Sequence, residues 1–518
     1  MHTFICDNEK TVVKTDKGIV KGYYYDDLYI FKGIPYAKAK RFHAPKEVDA
    51  WDTIFDATSY GCVCPLMDLG KPSGEIKTPH RYWVMDEDCL NLNVWTPGLD
   101  DQKRPVMVWL HGGGFEAGSS IEQIAYEGEN MAKIGNCVVV SINHRLNILG
   151  YLDLSDFGDE YENSGNAGTD DIIASLKWVQ KNISKFGGNP DNVTVFGQSG
   201  GGTKVTTLLQ STNADGLYHK GIVMSGVIDG ILPDSKGSAK EIVDEMMKEL
   251  NLSSIKELET VDYNKMVSVY KKLKPKYQMQ GKNVGCTPHP NKFYKGNPNF
   301  NGFREETKDI PLMIGTNYGE FLPFFPSQFD KKTMTEKQAE DVIKVMFKED
   351  GDKVIELFKQ AYPERHILDI MVMDTIFRVC NIEYNLNRGK VNPTNTFNYI
   401  FNQDFIIDGK TAPWHCSDIA YFFHNCELLP VCQEPGVVDD LEKNIFESVM
   451  AFARTGNPNH DGIPEWKSTD GKDEYNMMLQ KDFKLVKNHD HELAQIVGKV
   501  MMPMILKMFT ANTDAIQH

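Results

Sequence analysis

A chain of 518 residues that is 41% hydrophobic and 25% charged has the composition of a globular protein with ample apolar material for a large core. Its 56 basic and 72 acidic side chains leave a net charge of −16, which argues against non-specific binding to nucleic acid or an anionic membrane. No apolar run is long enough to span a bilayer, and ten cysteines over this length are too sparse for a disulfide scaffold.

The first residues, MHTFICDNEKTVVKTDKG, lack a basic start followed by a long apolar run, so the expectation is no secretory signal and a cytoplasmic protein. Residues 11–20 and 22–30 read as short strands broken by turns. From about 90 onward, Val/Ile-rich runs at 90–95, 105–110, 137–143, 193–196, 221–224, 312–315 and 396–401 suit strands covered on both faces. Between them, Ile172, Leu176, Val179 and Ile183 recur at helical spacing, as do Leu441, Ile445, Val449 and Phe452 before Gly456-Asn457-Pro458. Strands alternating with helices predict an α/β fold with a central, mostly parallel sheet flanked by helices. The segments at about 235–310 and 330–390 read as helical insertions roofing that sheet, within one domain over 1–518. Met502-Pro503-Met504 reads as a break in a terminal apolar segment packed on the body. Cys62, Cys64 and the His415-Cys416 pair do not repeat at zinc-ligand spacing, and no metal is expected.

Two motifs carry chemistry. Residues 193–196 lead as a strand into Gly197-Gln198-Ser199-Gly200-Gly201, followed by a helical stretch. This strand–turn–helix context is what a G-x-S-x-G nucleophile elbow requires: small flanks allow a sharp turn that lifts the serine hydroxyl beside a helix N-terminus. Upstream, the strand ending at Leu110 opens into His111-Gly112-Gly113-Gly114-Phe115. Bare backbone N–H groups of Gly113 and Gly114, with that of Gly200, would form a three-donor oxyanion hole. A dinucleotide-binding loop is the rival reading of these glycines, but the next strand ends at Ser141-Ile142-Asn143 without the acidic residue that loop needs.

With these motifs in place, the chain resembles the type-B carboxylesterase/cholinesterase family. The resemblance rests on Phe31-Lys32-Gly33-Ile34-Pro35-Tyr36-Ala37, Glu87-Asp88-Cys89-Leu90-Asn91, HGGGF, Asn143-His144-Arg145-Leu146, Asn166-Ala167-Gly168 and Phe186-Gly187-Gly188-Asn189-Pro190 in one order before the elbow. It implies an α/β-hydrolase fold, a carboxylic ester hydrolase acting on a small-molecule ester through an acyl-enzyme, and no cofactor. It also implies the partners of Ser199: Glu320 in Gly315-Thr316-Asn317-Tyr318-Gly319-Glu320 as the acid, and His415 in Trp414-His415-Cys416-Ser417-Asp418 as the base. Asp418 is the rival acid, with a structural role as its other reading. Ser225, after the next strand, stands where the family keeps a small polar residue near the site, with a plain strand-end serine as its other reading. The family's first disulfide corresponds to Cys64 and Cys89, which would stay as thiols in a reducing compartment. A structural salt bridge of the family corresponds to Glu87 and Arg145.

The departures narrow the substrate. Many relatives carry Glu before the nucleophile and Ala after it; here these are Gln198 and Gly200. Cholinesterases place an aromatic residue where this chain has Pro79, with Trp83 out of register. Both changes count against a cationic ester and point to a bacterial-type carboxylesterase. A lipase or amidase on the same triad is the alternative, and a non-catalytic binding member is disfavoured because nucleophile, acid, base and Gly run are all present. Phe321, Phe324, Phe325 and Met279 are candidate pocket walls, with ordinary packing as the other reading of all four.

Overall fold

A computed structural model describes residues 3–68, 80–228, 237–324, 329–407 and 410–515. Twelve strands form one sheet: β1 (Phe4–Ile5), β2 (Tyr23–Tyr25), β3 (Leu28–Pro35), β4 (Asn91–Thr96), β5 (Arg104–Leu110), β6 (Val138–Ile142), β7 (Gly188–Gln198), β8 (Lys220–Met224), β9 (Leu312–Asn317), β10 (Thr396–Phe401), β11 (Tyr475–Leu479) and β12 (Lys484–Lys487). They lie in the order β1-β2-β3-β4-β6-β5-β7-β8-β9-β10-β11-β12. From β6 to β11 every neighbour is parallel, and the antiparallel pairs stand at the two ends.

The alternation of side chains along each strand divides the core in two. Val106, Val108 and Leu110 of β5 join one buried cluster, while Met107 and Trp109 join the cluster on the opposite face. Apolar stretches covered on both faces therefore recur at residues 106–110 of β5, 138–140 of β6 and 222–224 of β8, and each large side chain buried this way contributes about 1.5–3 kcal/mol.

Helices cover both faces: α1 (Ala167–Asn182), α2 (Gly200–Leu209), α3 (Lys240–Glu249), α4 (Tyr263–Gln278), α5 (Glu336–Phe347), α6 (Gly351–Ala361), α7 (Phe377–Val391), α8 (Val438–Thr455) and α9 (His491–Ala515). The stripe of Ile172, Leu176 and Val179 lies on α1, and the chain after it tightens into a 3₁₀ turn at Ile183–Phe186 that stops at the left-handed Gly187. The helices of the first insertion, α3 and α4, send Ile242, Val243, Met266 and Tyr270 into the same cluster as β5 and β7. Those of the second, α5 and α6, form a third cluster with α9, Ile400 and Met478.

Two expectations are corrected and one feature is new. Pro503 does not break the terminal segment: α9 continues through it, with Val497, Met501 and Ile505 buried. Strands β11 and β12 were not anticipated. Glu87 and Arg145 do not pair. Arg145 is nearly fully buried and holds Asp171 through Nε and Nη2 at 2.8 and 2.7 Å, while Glu87 takes Arg41. A buried guanidinium takes the partner that is itself fully desolvated, and Asp171 is, whereas Glu87 lies near the surface.

Candidate active site

The reactive residues all follow the carboxyl ends of neighbouring parallel strands, where open α/β sheets form their clefts. Ser199 follows β7, the Gly run follows β5, Ser225 follows β8, Glu320 follows β9, and His415 lies in the connection after β10.

Ser199 is the elbow. Its backbone sits at φ 57°, ψ −129°, a conformation strained for any non-glycine residue, and it is the N-cap of α2. Its N–H is tied to Met224 O at 2.8 Å and its carbonyl accepts Thr203 N–H at 3.0 Å, so the strain is held from both sides. The turn is this sharp because Gly201 brings α2 onto the end of β5: a Cβ there would lie 1.9 Å from Leu110 O. Ser199 Oγ, half-buried, has no hydrogen bond to a described residue, and bonds of this kind commonly tighten only when substrate arrives.

The Gly run lies against this elbow. A Cβ on Gly200 would come 2.3 Å from both Cα and O of Gly114, so the two backbones meet with no room for a side chain. This explains the glycine where relatives commonly carry alanine. Gly113 and Gly114 have φ of 81° and 61°, and among the described residues neither N–H has an acceptor. The N–H of Gly200, first in α2, is one of the orphan donors of a helix start.

His415 and Glu320 form a buried pair. Oε2 of Glu320 is 2.5 Å from Nδ1 of His415, and the backbone repeats the link, His415 N–H donating to Glu320 O at 2.9 Å. The other carboxylate oxygen accepts from Ser225 Oγ at 2.5 Å and from Asn317 N–H at 2.7 Å. Asp418 is placed elsewhere: it accepts from Tyr399 OH at 2.9 Å and from Asn317 Nδ2 at 3.4 Å. Burial and the charge of Glu320 push its carboxyl up to about 7. Phe321 and Phe377 pack on the imidazole, with ring centroids 4.2 and 5.4 Å away.

Gln198 links the serine and histidine segments. Its Nε2 lies 3.3 and 3.2 Å from the two ring nitrogens of His415, and its Oε1 accepts from Cys416 Sγ at 3.1 Å. An amide N–H aimed at the ring disfavours an imidazolium, where a carboxylate would favour it. Gln198→Glu is therefore expected to move the acidic limb of the kcat/KM profile upward by about one pH unit. A pH–rate profile of the variant checks this, and a limb that stays put or moves down contradicts it.

Sequence reasoning missed Asp374. Its carboxylate accepts the N–H groups of Ile376, Phe377 and Arg378, at 2.9, 3.3 and 2.7 Å, and so sets the start of α7 that carries Phe377. Burial and then Glu320 raise its carboxyl to about 8. An Asp just ahead of a helical pattern, Asp374-Thr375-Ile376-Phe377, was the available signal. Cys64 and Cys89 are both free thiols buried in the core, and the neighbouring Cys64 together with burial holds the Cys89 thiol well above its ordinary value. Of the candidate pocket walls, Met279 is 84% exposed, Phe325 and the side chain of Phe324 lie outside the described residues, and only Phe321 is seen at the site.

The model of the carboxylesterase family matches residues 9–495. The chain belongs to the carboxylesterase family. Among solved structures, an esterase from the anaerobe Clostridium hathewayi that can hydrolyse aliphatic aromatic polyesters is 45% identical, with 96% of this chain and 100% of that one covered and a TM-score of 0.93. Among curated relatives, the para-nitrobenzyl esterase of Bacillus subtilis strain 168 is 29% identical, over 93% of this chain and 98% of its own. Liver carboxylesterase 1F of Rattus norvegicus is 30% identical, over 90% and 89%. This carboxylesterase is an α/β-hydrolase of the bacterial type and a carboxylic ester hydrolase. No helix among its described residues is long and apolar enough to cross a membrane.

Proposed function

We propose that the enzyme hydrolyses small carboxylic esters through an acyl-enzyme on Ser199, with His415 as base and Glu320 as acid partner, and with the N–H groups of Gly113, Gly114 and Gly200 as the oxyanion hole. The observation that carries the reading is the buried 2.5 Å pair of Glu320 and His415, joined through Gln198 to a strained serine at a helix N-terminus.

The steps follow from these contacts. The carboxylate at Nδ1 fixes the imidazole tautomer that leaves Nε2 able to accept a proton. His415 takes the hydroxyl proton as Ser199 attacks the ester carbonyl, and the backbone donors stabilise the oxyanion. The imidazolium then protonates the leaving alcohol. Water, deprotonated by His415, releases the acid and restores Ser199. Ser225 and Asn317 hold the far oxygen of Glu320, which keeps its near oxygen on the ring. Asp418, bonded to Asn317, braces that group. No step calls for a cofactor. The neutral Gln198 leaves the pocket without the carboxylate that would favour a cationic ester, and we place the substrate among neutral esters. The kinship with the Clostridium enzyme extends this range to small aliphatic–aromatic esters.

The test is stoichiometric labelling. Diethyl p-nitrophenyl phosphate is expected to release one equivalent of p-nitrophenol, abolish turnover, and add its phosphoryl group to the peptide containing Ser199. A p-nitrophenyl ester series from acetate to decanoate, with a small aliphatic–aromatic diester, then sizes the acyl pocket. A label on any other residue, or full activity after labelling, removes this reading; turnover confined to long-chain emulsified esters favours the lipase alternative.

A further inference from the structure

Five residues beyond the elbow, α2 carries Lys204, whose side chain is 1% exposed. Its ammonium is within bonding distance of a single described acceptor, the carbonyl of His111, at 2.9 Å. An ammonium so buried, with one neutral partner, is costly to the fold unless it serves the groups around it. What surrounds it is the base of the Gly run.

The contacts form a short chain. Lys204 Nζ donates to His111 O. His111 Nδ1 lies 2.9 Å from Gly112 O; a carbonyl only accepts, so Nδ1 carries the hydrogen and donates. The Gly112–Gly113 peptide is trans, so its N–H points away from that bonded carbonyl, and a donor on the oxygen makes the N–H more positive. That N–H belongs to Gly113, a donor of the oxyanion hole. His111 stays neutral in this role: burial, the Lys204 charge and the stacked His144, 5.0 Å away, hold its imidazole far below the ordinary value. Gly118 completes the seat, since a Cβ there would lie 2.6 Å from His111 Nδ1.

We propose that Lys204 is a positioning residue for the oxyanion loop, a buried cation that pins the main chain of His111 and so holds in place the imidazole whose Nδ1–H polarises the Gly113 N–H toward the developing oxyanion. This inference rests on the assignment of Ser199 and the Gly run given above. The charge it needs is titratable. The groups facing Lys204 are His111 and His144, both held neutral, and the Glu122 carboxylate, with the Phe115 ring 5.8 Å away. Burial pushes the ammonium down to about 7, with Glu122 pulling the other way. The lysine is therefore charged below that pH and becomes neutral as pH rises through it.

The experiment compares kcat and KM for p-nitrophenyl acetate in the full chain and in Lys204→Met, at pH 6 and pH 9. At pH 6 the variant is expected to lose about tenfold in kcat with KM unchanged, a fraction of the loss from deleting a hole donor outright. At pH 9, where the wild-type lysine is neutral, the two proteins should converge to within about twofold. Taking the ratio of the two cancels their shared dependence on His415. An equal deficit at both pH values, a change confined to KM, or no deficit at pH 6 would overturn the proposal. If circular dichroism shows that Lys204→Met is unfolded, Lys204→Gln is read in the same way. Ser199→Ala separates the two levels of failure. If it turns over ester at the wild-type rate, the site reading falls; if it is inactive while Lys204→Met equals wild type at pH 6, only the lysine proposal falls.

Discussion

Ser199→Ala is expected to lower kcat for p-nitrophenyl acetate by on the order of 10⁵- to 10⁶-fold, the scale seen when a triad nucleophile is removed. The loss is that large because nothing nearby replaces the nucleophile. Ser225, the next hydroxyl along this edge of the sheet, already donates to Glu320 at 2.5 Å. Cys416, beside the base, points its thiol at the oxygen of Gln198. The Gly run and the binding surface remain in the variant, so slow turnover above the uncatalysed rate should persist. The substitution should also stabilise the fold slightly or leave it unchanged, since a strained backbone loses only a hydroxyl. A thermal melt beside the kinetics checks both halves. Activity within tenfold of wild type, in a folded variant, would remove Ser199 from the mechanism.

Glu320→Gln is expected to cost about 10⁴-fold in kcat, or roughly 5 kcal/mol of barrier, with KM little changed. An amide in place of the carboxylate can present its N–H to Nδ1. It then fixes the tautomer whose proton sits on Nε2, which cannot accept from Ser199. It also withdraws the charge that stabilises the imidazolium. The neighbouring carboxyls respond in a defined direction. Asp374 and Asp418 are raised to about 8 and 7 by burial first and by Glu320 second, so the neutral amide should let both ionise at lower pH. Neither takes over as the acid, because Asp374 is committed to the start of α7 and Asp418 to Tyr399 and Asn317. Kinetics and a titration followed by NMR test the two halves separately. If Glu320→Gln retains more than a tenth of wild-type kcat, His415 is oriented by something other than this contact.

Local chemistry made much of this molecule legible before any coordinates. The inner parallel strands are legible through short apolar stretches such as residues 106–110, 138–140 and 222–224, which are covered on both faces. The elbow and the Gly run are legible because a tight turn and a close backbone approach admit little besides glycine, as the 2.3 Å clearance between Gly200 and Gly114 shows. Glu320 and His415 are different: no spacing rule joins residues brought together over 95 positions, and only the family resemblance selected them. Asp374 and Lys204 escaped for a related reason. Lys204 looks like an ordinary helix residue and Asp374 like an ordinary residue ahead of a helix start, and the meaning of each lies in what the fold packs against it. The pairing expected for Arg145 failed on burial, since Asp171 offered a desolvated partner that linear motifs do not reveal. Strand β12 escaped because it is a four-residue edge strand flanked by lysines, and β11 because Tyr475–Leu479 carries no Val, Ile or Thr to mark it as a strand.

The span of the site along the chain has a consequence for biogenesis. Gln198 and His415 touch across 217 positions, and His415 enters only after β10 has docked beside β9. A nascent chain can complete the elbow and the Gly run while hundreds of residues remain to be synthesised, yet the histidine arrives near the end. Ester turnover during translation therefore reports closure of the last third of the polypeptide, not collapse of the first. In the mature enzyme the same order runs backwards: peeling β11 and β12 from the edge exposes β10, and the histidine is lost while the serine still stands. Heat or denaturant should accordingly extinguish activity before the spectroscopic signal of the inner sheet fades.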